Sequence, residues 1–170
     1  AGFAFFDNAS MTDALKFVST GIMFIGGASG STAGGIKGST IAIIIVAVIS
    51  NAIGREETVI FKRRVKQSVI VRAMSLFIIG ITFVFASAII ISVTEDISII
   101  SSLYETVSAY ATVGLSLSLT PTLSVLSKAI LMLLMFMGRV GVLTLTFSLA
   151  MSSSKRRIYS TFADTNIMVG

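Results

Sequence analysis

The 170-residue sequence contains no cysteine and no histidine, and its one proline is Pro121. Without Cys there is no disulfide, no thiolate nucleophile and no Cys-based metal site. Without His the commonest general base and metal ligand is missing. No paired-carboxylate site takes their place, so an enzyme is not expected. Charge is scarce too: 12 % of residues are charged, against about 25 % in soluble domains. What is abundant is apolar. The hydrophobic fraction is 54 %, mean hydropathy is +0.95, and the apolar residues fall in long runs. The class is an integral membrane protein. The chain opens Ala1-Gly2-Phe3 with neither Met nor a signal-peptide pattern, and is expected to be a piece of a longer protein.

The net charge of +5 is explained by position. Arg55, Lys62, Arg63, Arg64, Lys66 and Arg72 lie in one interhelical connection and its edge, and Lys155, Arg156 and Arg157 follow the last apolar run. Asp7, Asp13, Glu95, Asp96 and Glu105 fall towards the opposite side. The positive-inside rule places both basic segments in the cytoplasm of a multi-pass plasma-membrane protein and removes the need for nucleic acid as a partner, leaving membrane lipid.

A spanning helix needs about 20 residues at about 1.5 Å each. Residues 69–93 and 122–151 fit one span apiece. Residues 14–53 would make a helix about twice too long, and their two halves, 14–25 and 39–53, are each too short. The middle is rich in Gly, which costs about 1 kcal/mol per residue relative to Ala in a helix. One pass broken at mid-membrane is the simplest solution, and it requires burial in protein or a watery cavity. Residues 97–119 are expected to dip in and out on the outer side: a short helix, Ile97 to Tyr110, then an extended strand. A full crossing there would put the two basic segments on opposite sides.

Shifting the sequence by 112 positions aligns 1–38 with 113–150 without a gap. Gly2 meets Gly114, Lys16 meets Lys128, Met23-Phe24 meets Met135-Phe136, Gly26 meets Gly138 and Thr32 meets Thr144. Both segments run from a small-Gly-bulky triplet into an apolar helix of the same direction, a parallel repeat. The expected fold is all-α, built of span, pore helix, filter and span. It divides into 1–53 (end of one filter and a broken helix), a cytoplasmic loop 54–68, a complete repeat 69–151 and a cytoplasmic tail 152–170.

Three places carry chemistry. Thr112-Val113-Gly114-Leu115 has the start of a potassium-channel-like filter, in which backbone carbonyls replace the hydration shell of the ion; Leu115 and Ser116 replace the usual Tyr-Gly. Gly114 permits the backbone angles that aim carbonyls inward, and the preceding helix points its negative end at the ion. Gly26-Gly27-Ala28-Ser29-Gly30-Ser31-Thr32-Ala33-Gly34-Gly35-Ile36-Lys37 is not a phosphate loop, because Ile36 separates Gly35 from Lys37. It reads as an irregular hydrated loop, or, with Gly26, Gly30, Gly34 and Gly38 spaced by four, as a helix-packing face. Lys37 is near enough to the cytoplasmic end to reach the interface. Arg139 lies deep in the last span, where a cation costs about 2.5–3.5 kcal/mol on insertion scales and usually faces a cavity. Carbonyls of the Gly-rich loop are its expected partners. Glu105 either braces the strand through hydrogen bonds or faces water.

Phe24 to Lys37 closely resembles the gating-loop signature of the Ktr/Trk/HKT cation transporter superfamily, most like the bacterial Ktr potassium-uptake membrane subunits. Ser108-Ala109-Tyr110-Ala111-Thr112-Val113-Gly114-Leu115-Ser116 resembles its fourth filter, and Met135-Phe136-Met137-Gly138-Arg139-Val140-Gly141 its last helix with a pore-facing Arg. Val142 departs from the Pro found in many relatives. The resemblance implies four repeats around one pore, of which this chain holds the end of the third and all of the fourth. It implies potassium as the transported ion, with filter carbonyls at Ala1, Gly2, Phe3 and 112–115, residues 26–38 as an intramembrane gate, and Arg139 holding that gate. It also implies a homodimer docked on a cytoplasmic ring that binds nucleotide, with the Asn166–Gly170 end as a dimer contact. Sodium dependence is left open. The alternatives are a secondary transporter that binds a solute at the broken helix and a non-transporting scaffold built on the Gly-every-four face.

Overall fold

The structure is a computed structural model, and it describes residues 2, 4, 8–28, 30, 31, 33–54, 58–60 and 63–140. A 3-10 turn, Asn8–Ser10, precedes α1 (Asp13–Phe24) and α2 (Gly38–Ala52). Strands β1 (Val59–Ile60) and β2 (Arg63–Arg64) follow, then α3 (Gln67–Glu95), α4 (Ile99–Tyr110) and α5 (Val125–Val140). The all-α architecture expected is the one observed, with one small addition. The connection between α2 and α3 pairs Val59 with Arg64 and Ile60 with Arg63 as a small antiparallel hairpin. Two pairs of residues in a charged connection do not alter a helical core. That connection is also slightly shorter than the 54–68 expected, because α3 starts at Gln67.

Local chemistry sets the helix ends. α1 stops at Phe24, just before Gly26-Gly27, where helix propensity collapses. α2 ends two residues before Gly54, whose φ of +74° forms a left-handed cap. Asp96 caps α3 in the same conformation, with its N–H donating to the Ser92 carbonyl. Ser98 opens α4 by accepting from the Ser101 N–H at 3.3 Å.

At 12 and 15 residues, α1 and α2 are about 18 and 22 Å long, each short of a bilayer core. They do not pack on each other: α1 lies on α4, and α2 on α3. The chain between them closes on itself. Ile25 and Ile36 form a parallel bridge, Gly26 N–H donates to the Ile36 carbonyl at 2.7 Å, and Gly38 N–H donates to the Gly27 carbonyl at 3.3 Å. A parallel bridge means that the chain leaves the loop heading the way it entered. Because residues 26, 30 and 34 lie in this irregular segment, the Gly-every-four spacing makes no helical packing face.

Among the described residues, α3 is the one helix long and apolar enough to cross a membrane, and 22 % of its most apolar stretch is buried. The core helix of a soluble protein would be mostly buried. Its buried stripe, Ile70, Ala73, Gly80, Val84, Ala88 and Ile91, recurs at helical spacing, and both α2 and α4 pack on this helix. α4 is the hub: every residue from Tyr104 to Tyr110 is buried, and α1, α3 and α5 all pack on it. The outer faces stay apolar, with Phe17, Ile22, Ile45, Ile78, Leu126 and Phe136 each at least half exposed. Such faces suit hydrocarbon and not water. Of the span expected over 122–151, the part beyond Val140 lies outside the described residues, as does the tail 152–170.

Candidate functional site

The C-terminus of α4 delivers the chain into 111–117, where regular structure ends. Thr112 takes a φ of +54° and Gly114 one of +86°. For a β-branched residue such a backbone costs on the order of 1–3 kcal/mol and persists only where its surroundings impose it. The anchors are visible. Val113 N–H donates to the Ser108 carbonyl at 3.0 Å, and the Ser108 hydroxyl donates to the Leu115 carbonyl at 2.5 Å. Asn8 Nδ2 donates to the Ser116 carbonyl at 3.2 Å. Glu105, 4 % exposed, accepts from Ser116 Oγ at 2.7 Å, Leu117 N at 2.8 Å and, on its other oxygen, Thr120 Oγ1 at 3.1 Å. Glu105 is therefore the brace of the two roles expected for it.

Gly2, with a φ of +69°, lies against Gly114. A Cβ on Gly2 would stand 2.5 Å from the Gly114 carbonyl oxygen, so the two glycines paired by the 112-residue shift meet in space. Ala1 and Phe3, the neighbours of Gly2 in the expected filter, lie outside the described residues. Of 112–115, Leu115 differs from the rest because its carbonyl already accepts from Ser108.

The Gly-rich loop sits beneath this strand. Gly34 N–H donates to Thr112 Oγ1 at 2.9 Å, and Gly35 N–H donates to the Gly138 carbonyl at 3.3 Å. Gly34 and Ile36 are buried, while Ala28, Gly30 and Ser31 are exposed. Ser29 and Thr32 lie outside the described residues. Lys37 turns back on the loop and not out to the interface. Its ammonium donates to the Ser31 carbonyl at 3.0 Å and to that of Ala33, clipping the loop shut. The reason is local supply: the loop turns its carbonyls inward within reach of a side chain at its own exit.

Close approach explains two further glycines. A Cβ on Gly138 would penetrate the Tyr110 carbonyl oxygen, and one on Gly80 would lie 2.6 Å from the Tyr110 hydroxyl. Tyr110 also stacks on Phe24, with ring centroids 6.1 Å apart, and Phe24 meets Phe77 edge-on at 6.0 Å. Tyr110 thus locks the end of α4 to α1, α3 and α5. No role is legible for these aromatics in the sequence, where they look like any lipid-facing or packing residues. Asn8 and Ser108 are equally silent there.

Arg139 lines two cavities. One, of about 200 Å³, is shared with Gly35, Lys37, Thr40 and Tyr110. The other, of about 440 Å³, runs along the strand past Glu105, Thr112 and Gly114. The arrangement is a narrow backbone-lined strand, a loop seated below it, and two cations at the loop. Backbone carbonyls of this kind can stand in for the hydration shell of an alkali cation. Among the described residues no cluster of acidic side chains could hold a metal ion instead.

Comparison with known proteins identifies the family. The cation transport protein family TrkH matches residues 1–158. The chain belongs to that family. It is 39 % identical over 150 residues to the Ktr system potassium uptake protein B of Bacillus subtilis, covering 88 % of this chain and 34 % of the relative. It is 33 % identical over 174 residues to the potassium/sodium uptake protein NtpJ of Enterococcus hirae, covering 100 % of this chain and 39 % of the relative. The Ktr system potassium uptake protein D of Bacillus subtilis is 34 % identical over 146 residues, or 86 % of this chain and 32 % of that protein. The chain thus spans about a third of the length of these curated relatives. Membership of this family matches the resemblance carried by residues 24–37, 108–116 and 135–141, and these relatives are named for ion uptake and not for an enzymatic reaction.

Proposed function

We propose that this chain forms one quarter and part of a second quarter of a potassium uptake pathway. The carbonyls of Thr112, Val113 and Gly114, with those around Gly2, bind the dehydrated cation. The loop 26–38 closes the path below them. The observation that carries this reading is the pair of hydrogen bonds that seats the loop, Gly34 to Thr112 and Gly35 to Gly138. One joins the loop to the strand and the other joins it to α5, so the loop cannot leave without freeing both. Lys37 and Arg139 then place positive charge at the exit, which disfavours a resting cation while the loop is closed.

A single broken pass for 14–53 is supported by the parallel bridge at Ile25 and Ile36 and by the lack of packing between α1 and α2. The parallel repeat is supported by the starts of α1 at Asp13 and α5 at Val125, which keep the 112-residue offset, and by the shared left-handed glycines. The basic connection and tail lie in the cytoplasm on this reading, and α4 dips from outside. The names of the relatives support potassium as cargo, leave sodium as a second cargo or a coupling ion, and fit a subunit of a multicomponent system. A homodimer on a cytoplasmic nucleotide-binding ring completes the proposal.

The test is potassium and sodium flux in proteoliposomes holding the full-length protein that carries this chain. Gly114→Ser puts a Cβ at a φ of +86° and is expected to lower the potassium-to-sodium ratio about ten-fold, equivalent to about 1.4 kcal/mol of lost discrimination. An unchanged ratio in folded protein would overturn the filter at 112–114.

A further inference from the structure

Between the ends of α2 and α3 that border their connection lies a cleft of about 360 Å³, and no residue of the candidate filter or gate lines it. Its walls change character along its length. Asn51 in the last turn of α2, Thr58 in the connection and Gln67 at the start of α3 make one end. Ile70 and Met74, one and two turns into α3, and Ile44, two turns back along α2, make the other. Seven helical residues rise about 10 Å, so the lining passes from amide and hydroxyl to pure hydrocarbon over about that distance.

The polar end sits in a basic neighbourhood. Arg64 pairs with Val59 beside Thr58, Lys66 directly precedes Gln67 at the start of α3, and Arg72 follows within its first turns. We infer that this cleft binds an anionic phospholipid. The phosphodiester sits at Asn51, Thr58 and Gln67 beside Arg64 and Lys66, and an acyl chain runs along Ile44, Ile70 and Met74. Basic pockets between membrane helices on the cytoplasmic side hold such headgroups, and each nearby Lys or Arg favours them. A free phosphate would make no use of the apolar half. A protein helix laid in the cleft would bury an uncharged surface against the positive end. The inference rests on the membrane orientation proposed above and not on the filter or the gate.

The test uses the full-length protein in detergent micelles, mixed with equal amounts of phosphatidylglycerol and phosphatidylcholine and examined by native mass spectrometry. Phosphatidylglycerol is expected to be retained preferentially. The double variant Asn51→Asp with Gln67→Glu puts two carboxylates at the polar end and is expected to cut that retention about ten-fold, with potassium flux unchanged. Should the variant not fold, wild-type protein is photolabelled with an acyl-diazirine phosphatidylglycerol, and the label is expected on peptides from 38–52 and 67–76. Equal retention of both lipids, undiminished retention by the folded variant, displacement by soluble glycerol 3-phosphate, or label confined to other peptides would overturn the inference. The binding readout does not depend on conduction, so its failure is distinct from failure of the filter reading, which flux alone reports.

Discussion

Glu105 shows how a single side chain sets the backbone at the exit of the proposed filter. A buried carboxylate without partners would cost several kcal/mol, and here three donors from the strand and its exit supply the compensation. The replacement Glu105→Gln removes the charge that strengthens all three bonds and obliges the Thr120 hydroxyl to turn and accept from an NH2. It is expected to cost about 1–3 kcal/mol, read as a lower unfolding midpoint, and to reduce potassium selectivity in the flux assay. Full stability and full selectivity together would remove Glu105 as the brace. The sequence offered Glu105 two roles and could not choose, because the choice depends on Ser116, Leu117 and Thr120 coming round to meet it. Tyr110 was harder still. Its contacts with Phe24, Gly80 and Gly138 join residues distant in the chain, and no local pattern announces them.

The loop 26–38 divides differently between what could and could not be read. Its irregularity was legible, since clustered glycines end a helix wherever they occur. Its seat was not, since the partners Thr112 and Gly138 belong to other elements. Lys37 was left between the loop and the interface for the same reason: the sequence shows its depth but not the carbonyls that the loop turns towards it. The seat makes a specific expectation. Thr112→Val keeps the shape and the β-branching but removes the hydroxyl that accepts from the Gly34 N–H. A buried N–H left without its partner costs about 1–3 kcal/mol, and that cost falls on the closed loop. Potassium flux is therefore expected to rise several-fold in the variant. Flux equal to wild type would mean that this bond does not hold the gate.

The arrangement of the helices was the most legible part. Apolar run lengths and clustered glycines anticipated α3, a short α4 and separate helices α1 and α2, because apolar length and Gly content act on helix length directly. The hairpin of β1 and β2 was not anticipated, since four strand residues in a charged connection carry no period. Only Gly2 and the 112–114 strand contribute described filter backbone, and a cation must be surrounded to lose its water. The 170-residue chain reconstituted by itself is expected to give no potassium flux above empty liposomes; selective flux from it would refute a pore shared with further repeats. One contact far from the loop bears on how such a pore would move. A single oxygen of Glu95 accepts from Ser124 N–H at 3.0 Å and from the Ser124 and Ser127 hydroxyls, each at 2.5 Å. That pins the start of α5 to the end of α3, while near Gly138 the helix meets both the loop and Tyr110. Over its described length α5 is thus a lever anchored at Ser124 and steadied at Gly138. Were both supports at Gly138 to ease, a tilt of about 5° would carry Arg139, about 22 Å along the axis, through about 2 Å. A small loosening below the strand would then show as displacement of the Arg139 charge.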